Sequence, residues 1–357
     1  MEKNFLYEWF SKRIPLKNMI EFGKKKTVPV HKYSVWYYFG GICLFLFVVQ
    51  VLTGIMLLLY YRPTAESAFE SVQFIVTQVK FGWLVRSIHS WAANILIAAS
   101  FIHMFSVYLM KSYRPPREMT WLTGFFLLLI FLAFGFSGYL LPWNELAFFA
   151  TQVGTNMAGA IPLVGGYIKT FLRGGEEVTG ATLIRFFGFH VAVLPGITTV
   201  LLAIHIYLVQ VHGMSAPIGI EKNKIKEEPF FPNFILKDMV GWSLVLTLLV
   251  FLSVFFPWEI GVKADPFASA PVGIKPEWYF MFMFITLKFI PGKVLFFEGE
   301  VLGIFGFIFA GIIWMLLPFF DKKAAQEKRS TFFTLIGVFV ILYISVITIV
   351  GYMLPGK

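Results

Sequence analysis

An all-α integral membrane protein is predicted by three observations. Hydrophobic residues make up 58% of the 357-residue chain and charged residues only 14%, a balance that would leave a water-soluble domain with apolar surface it could not bury. Seven apolar runs, at residues 36–60, 87–110, 120–141, 184–209, 238–257, 300–320 and 332–353, each approach the ~20 residues needed to cross about 30 Å of hydrocarbon. Four of the six histidines fall inside two of those runs, His89 and His103 in the second, His190 and His205 in the fourth. An ionisable side chain at membrane depth is costly unless it faces the protein interior and has a partner. All seven runs read as helices, because an open strand edge finds no hydrogen-bond partner in lipid.

Residues 1–32 mix Phe5, Trp9, Phe10, Ile14 and Met19 with lysines, the pattern of an amphipathic helix lying on a membrane surface and not of a cleavable signal. Residues 33–210 hold the first four spans, 211–235 form a connecting segment, and 236–357 hold the last three spans. Of the 30 Lys and Arg, 19 fall on the side of the amino terminus, which makes that side cytoplasmic and puts the carboxyl terminus outside. The net charge of +10 follows from this bias and from attraction to anionic lipid, and nucleic acid is not an expected partner. The single cysteine, Cys43, excludes an intrachain disulfide and a cysteine-bound iron–sulfur cluster.

The histidines are separated by steps of 14 and 15 residues, which at about 100° per residue leaves each pair within about 60° of one helix face. The rise per residue sets the members of a pair roughly 21 to 23 Å apart along the axis. Spans two and four both run inward, so His89 pairs with His190 near the outer surface and His103 with His205 near the inner one. One reading is buried imidazoles bonded to backbone carbonyls. The matched intervals favour another, in which each pair ligates a haem iron, which with both axial positions filled can only pass electrons. Gly40 and Gly54 in the first span, and Gly124 and Gly138 in the third, repeat the interval of 14, and would let a flat macrocycle approach the backbone. Arg86, three residues before His89, and Arg185, five before His190, are placed to reach haem propionates, or to act as interfacial anchors.

The segments WYYFGGI (36–42), RSIHSWAAN (86–94), PREMTWLTG (116–124), GYLLPWNELAFFAT (138–151), RFFGFHVAVLPG (185–196), FFPNFILKD (230–238) and ADPFASAPVGIKPEWYF (264–280) resemble the cytochrome b subunit of quinol:cytochrome c (or plastocyanin) oxidoreductases, over nearly the whole chain. The 14 residues between His190 and His205 resemble the chloroplast-type branch, with its usually separate companion subunit fused near residues 211–235. The resemblance implies two non-covalent, bis-histidine haems b and quinol oxidation at an outer site. Electrons would divide there between a Rieske iron–sulfur protein and the haems leading to a quinone at an inner site, coupled to proton translocation. It also implies a c-type cytochrome partner, a homodimeric complex and a prokaryotic cytoplasmic membrane. A di-haem anchor serving an attached reductase without bifurcation would have no use for the PEWY segment or the last three spans.

At the outer site the resemblance points to Glu277, Tyr279 and Tyr139. The roughly 14 apolar residues after Glu277 are too few to span and suggest a surface or re-entrant helix. A carboxylate beside such an apolar pocket is suited to take a quinol proton, although an acid after Pro276 is also an ordinary helix start. Residues 143–162 would cover the pocket. At the inner site the resemblance points to Lys237 and Asp238; His212, seven residues or two helical turns past His205, is a further candidate proton donor. Tyr38 stands where the chloroplast-type branch has a haem-binding cysteine, so no covalent haem is expected. Ser106 stands where a basic residue is usual, leaving the inner propionates to Lys111 or Arg114, and Gln210 stands where His or Arg is usual.

Overall fold

The computed structural model describes residues 5–13, 21 and 23–354. Helix α1 spans Tyr38–Leu58, α2 Gly82–Leu109, α3 Glu118–Leu140 and α4 Gly180–His212. After a connector come α5, Ile235–Phe255, α6, Trp278–Phe289, α7, Gly299–Met315, and α8, Thr331–Met353. Among the described residues six helical stretches are long and apolar enough to cross a membrane, while α6 and α7 are shorter apolar helices.

The run expected at 300–320 therefore breaks. Pro318 has no N–H to offer and its ring crowds the carbonyl one turn back, so α7 ends at Met315 and the chain restarts as a short turn, Leu317–Phe320. The freed carbonyls are not left bare: the Trp121 indole donates to Met315 O at 3.0 Å and to Trp314 O at 3.3 Å.

The amphipathic helix expected over residues 1–32 is helical at Phe5–Ser11, and Ile14 and Met19 lie outside the described residues. Thr27–Val30 is instead a strand, β1, paired antiparallel with β2, Lys226–Pro229, in the register Thr27 to Pro229 and Val30 to Lys226. Two valines, a threonine and a proline disfavour helix and suit a short edge pairing, and Val28 is buried beneath it.

Within the bundle α1 packs along α2 and α4 along α3, with α2 and α3 meeting between them. Helix α5 lies against α1 and α2, α8 against α6 and α2, and α7 against α6 and α3. Helix α4 contains a π-helical turn at Phe189–Val193, at His190 and just ahead of Pro195. A π turn takes up one extra residue. It reconciles the 15-residue step of α4 with the 14-residue step of α2, keeping the two histidine pairs level. Between α3 and α4 the chain forms helices Glu145–Gly159 and Gly165–Arg173. They are pinned by the buried Arg173 guanidinium, which donates to Thr155 Oγ1 at 2.8 Å, Gln152 O at 2.9 Å and Asn156 Oδ1 at 2.9 Å.

Candidate functional site

The four intramembrane histidines meet in two pairs, each opposite a pair of glycines. The rings of His89 and His190 lie 6.4 Å apart between centroids, which leaves room for one metal ion given imidazole–metal bonds of about 2 Å each. His103 and His205 line one cavity together with Gly40 and Gly124. A side-chain carbon added at Gly54 would sit 3.4 Å from His89 Cε1, and at Gly138 2.6 Å from His190 Cε1; at Gly40 the distance to His103 Cε1 is 3.2 Å and at Gly124 to His205 Cε1 3.0 Å. All four predicted glycines thus face a predicted ligand, three of them closer than a Cβ would settle and Gly54 at ordinary contact.

Hydroxyls on α1 and α3 orient three of the rings. Thr53 donates to Val49 O at 2.6 Å and lies 2.8 Å from His89 Nδ1. Thr123 donates to Met119 O at 2.9 Å and lies 3.0 Å from His205 Nδ1, and Ser137 donates to Phe134 O at 3.3 Å and lies 3.1 Å from His190 Nδ1. Each hydroxyl proton is committed to its own helix, so each oxygen accepts from an Nδ1–H, and Nε2 keeps its lone pair for a metal. His103 Nδ1 has no hydrogen-bond partner among the described residues.

From His103 and His205 a cavity runs past Gln210, His212 and Arg117 to Asp238 and Phe230. Asp238 presses against Gly41 with Oδ1 unpartnered. Lys237, expected beside it, is absent from the lining and pairs with Glu228 at 2.5 Å. Consecutive helix residues do not share a face, so only one of the two can point inward. Lys111 and Arg114 do not line the cavity either: the Lys111 ammonium is buried 4.6 Å over the Tyr108 ring, and Arg114 donates to Lys111 O and Ala216 O. Arg117 is the cation there, held by the carbonyls of His212 at 2.8 Å and Gly213 at 3.3 Å. Ser106 turns back to the carbonyl of His103 at 2.7 Å. Cys43 lines the same cavity, 3.6 Å from Ser100 Oγ, and Tyr38 stacks on Phe234. Lys26 bonds both oxygens of Gln210, and His31 Nε2 lies 2.7 Å from the Tyr37 hydroxyl, which donates to Ser215 O at 3.0 Å.

At the opposite end Glu277 precedes α6 and caps it with no side-chain bond. It is close enough to Tyr139, Tyr279 and Tyr352 for its charge to act on all three, and burial raises its pKa above the ordinary carboxylate value. Tyr279 is buried with its hydroxyl against Gly135, and the Trp278 indole donates to Asn94 Oδ1 at 2.9 Å. The predicted cover is the helix Glu145–Gly159, whose Gly154 abuts Phe136, itself edge-on to Phe280. Arg86, expected to face a propionate, donates to Trp258 O at 2.5 Å and Glu259 O at 3.0 Å, just past the end of α5. These carbonyls belong to the irregular segment that follows α5, and a guanidinium with five donors keeps three for other partners.

The cytochrome b/b6/petB family model matches residues 24–213, and the cytochrome b(C-terminal)/b6/petD model matches residues 263–357. The chain belongs to the cytochrome b family. This cytochrome b is 52% identical over 343 residues to a cytochrome bc complex cytochrome b subunit from Chlorobaculum thiosulfatiphilum, covering 95% of the chain and 79% of that relative. It is also 42% identical over 213 residues to cytochrome b6 of Chlamydomonas reinhardtii, covering 60% of the chain and 99% of the relative. Its fold matches a chain of a hyperthermophilic respiratory Complex III with a TM-score of 0.85 and 31% identity, over 98% of this chain and 91% of that one. The protein is the cytochrome b subunit of a bc-type complex, an oxidoreductase, and haem b belongs to the family.

The glycine distances rank the tolerance of this cytochrome b to substitution. Gly138→Ala forces the His190 ring to move, because carbon atoms do not settle at 2.6 Å, whereas Gly54→Ala at 3.4 Å meets ordinary contact. Overpacking of this kind typically costs about 1–3 kcal/mol. Haem content of purified variants should therefore fall for Gly138→Ala and stay near wild type for Gly54→Ala; equal retention in both would contradict the ranking.

Proposed function

We propose that the chain carries two haems b, each between a histidine of α2 and one of α4, and that it joins an outer quinol-oxidising site to an inner quinone-reducing site. When bound, the haems would supply one-electron transfer along the bundle axis. The reading rests above all on the two levels at which histidine faces histidine and glycine backs each ring. Thr53, Thr123 and Ser137 would hold ligand tautomers with Nε2 toward iron, and Arg117 would meet propionates in the His103 cavity.

At the outer site Glu277 would accept a proton from quinol and release it outward, its apolar surroundings suiting it to that exchange. Tyr139 and Tyr279 would flank the ring, and the Glu145–Gly159 helix would keep water out. At the inner site Asp238 would deliver a proton to quinone, with His212 and Gln210 along the cavity wall and Lys237 remaining at the surface with Glu228. Release on one side and uptake on the other would make the cycle proton-translocating. A Rieske protein and a c-type cytochrome are the expected electron acceptors.

The test is the reduced-minus-oxidised spectrum of the purified complex, followed by oxidant-induced reduction of the haems with the inner site blocked. Two α-band components, oxidant-induced reduction and no haem-stained band for this chain after denaturing electrophoresis are expected. A single component overturns the two-haem assignment, absence of oxidant-induced reduction overturns bifurcation in favour of a simple di-haem anchor, and a stained band overturns non-covalent attachment.

A further inference from the structure

Three of the four histidines give Nδ1–H to a hydroxyl that stands one residue before the glycine their ring faces. Thr53 precedes Gly54, Thr123 precedes Gly124 and Ser137 precedes Gly138, and the bonds run 2.8, 3.0 and 3.1 Å to His89, His205 and His190. The fourth glycine, Gly40, follows Phe39, and the ring facing it, His103, is the one whose Nδ1 has no partner among the described residues. Both histidines of one level are therefore hydrogen-bonded through Nδ1, and only one histidine of the other.

From this asymmetry we infer that the side chains preceding the four glycines set the order of the two haem potentials, with Phe39 keeping the inner haem the easier one to reduce. The inference rests on the two-haem reading above. An Nδ1–H bonded to an acceptor makes Nε2 more basic, and a more basic ligand favours the oxidised, more positive iron over the reduced one, a lever through which a protein tunes haem potential. Two such bonds at the His89/His190 level and one at the His103/His205 level lower the outer potential more than the inner. Electrons entering from the outer site then run downhill to the inner one. Positive charge does not reproduce this order: Arg86 stands one turn before His89 and Arg117 in the His103 cavity, while Arg185 turns away from His190 to donate to Phe171 O at 2.7 Å.

Potentiometric titration of the α-band in the intact complex tests the inference. Thr53→Val removes an acceptor and should raise the outer midpoint. At fixed ambient potential the reduced-to-oxidised ratio of that haem should rise on the order of threefold, the scale of one neutral hydrogen bond. Thr53→Ser keeps the hydroxyl and should restore the wild-type midpoint. Phe39→Thr supplies the missing acceptor to His103 and should lower the inner midpoint, narrowing the gap between the two. Midpoints unmoved in Thr53→Val and Phe39→Thr, with both α-band components at full amplitude, would overturn the inference. Should Thr53→Val lose haem, the Phe39→Thr midpoint alone decides, a fall supporting the inference and no change overturning it. A wild-type complex with fewer than two haems per chain would instead remove the reading on which it rests.

Discussion

Replacing His190 by leucine is expected to delete one of the two α-band components and to reduce quinol:cytochrome c turnover to background. The His103/His205 component and the fold should both remain. A haem between His89 and His190 needs both axial nitrogens, and no other imidazole lies within reach: the remaining pair stands about 21 Å away along the bundle. Leucine is apolar and of similar bulk. Ser137, the partner of the lost ring, still donates to Phe134 O at 3.3 Å, so its hydroxyl keeps a partner. Optical spectra and turnover of the purified complex check this, and full retention of both bands would remove His190 from the ligand set.

The second large effect is expected at Glu277. Its carboxyl is half-buried beside Tyr139, Tyr279 and Tyr352, and this partial burial raises its pKa above that of an exposed glutamate. Only the ionised form can accept a quinol proton, so turnover should fall as pH drops through that raised value. The acid limb of kcat/KM should therefore lie above the ordinary carboxylate range. Glu277→Gln keeps the shape and removes the base, and positioned bases contribute on the order of 10²–10⁴-fold. The variant should lose quinol oxidation by that order and lose the acid limb with it, while both haem bands stay. Activity within threefold of wild type, or an unchanged acid limb, would exclude Glu277 as the base.

Much of the bundle was legible in the sequence because it depends on local periodicity. The intervals between His89 and His103, and between His190 and His205, state which faces meet, and Gly40, Gly54, Gly124 and Gly138 mark where the backbone is approached. The same arithmetic hid the π turn at Phe189–Val193, whose single extra residue was visible only as a step of 15. Thr53, Thr123 and Ser137 went unread although each precedes a marked glycine, because hydroxyls in apolar helices commonly bond their own helix; here they do so and accept from an imidazole as well.

Interactions between distant segments were not legible. Nothing in residues 27–30 announces a strand partner some 200 residues away, and the resemblance offers Lys237 and Asp238 as a pair although adjacency on a helix separates their directions. Arg86 was assigned by its distance from His89, whereas its partners, the carbonyls of Trp258 and Glu259, lie in another part of the chain. Arg117 was passed over because its role follows from where the connector folds back.

The pairing of β1 with β2 has a consequence for how such a chain can be inherited. The ladder from Thr27 to Val30 already fastens the segment before α1 to the segment leading into α5, and α5 itself packs on α1 and α2. The peptide bonds between residues 214 and 225 thus add little to holding the two halves together. Fusion or fission of the reading frame at this point would leave those contacts in place.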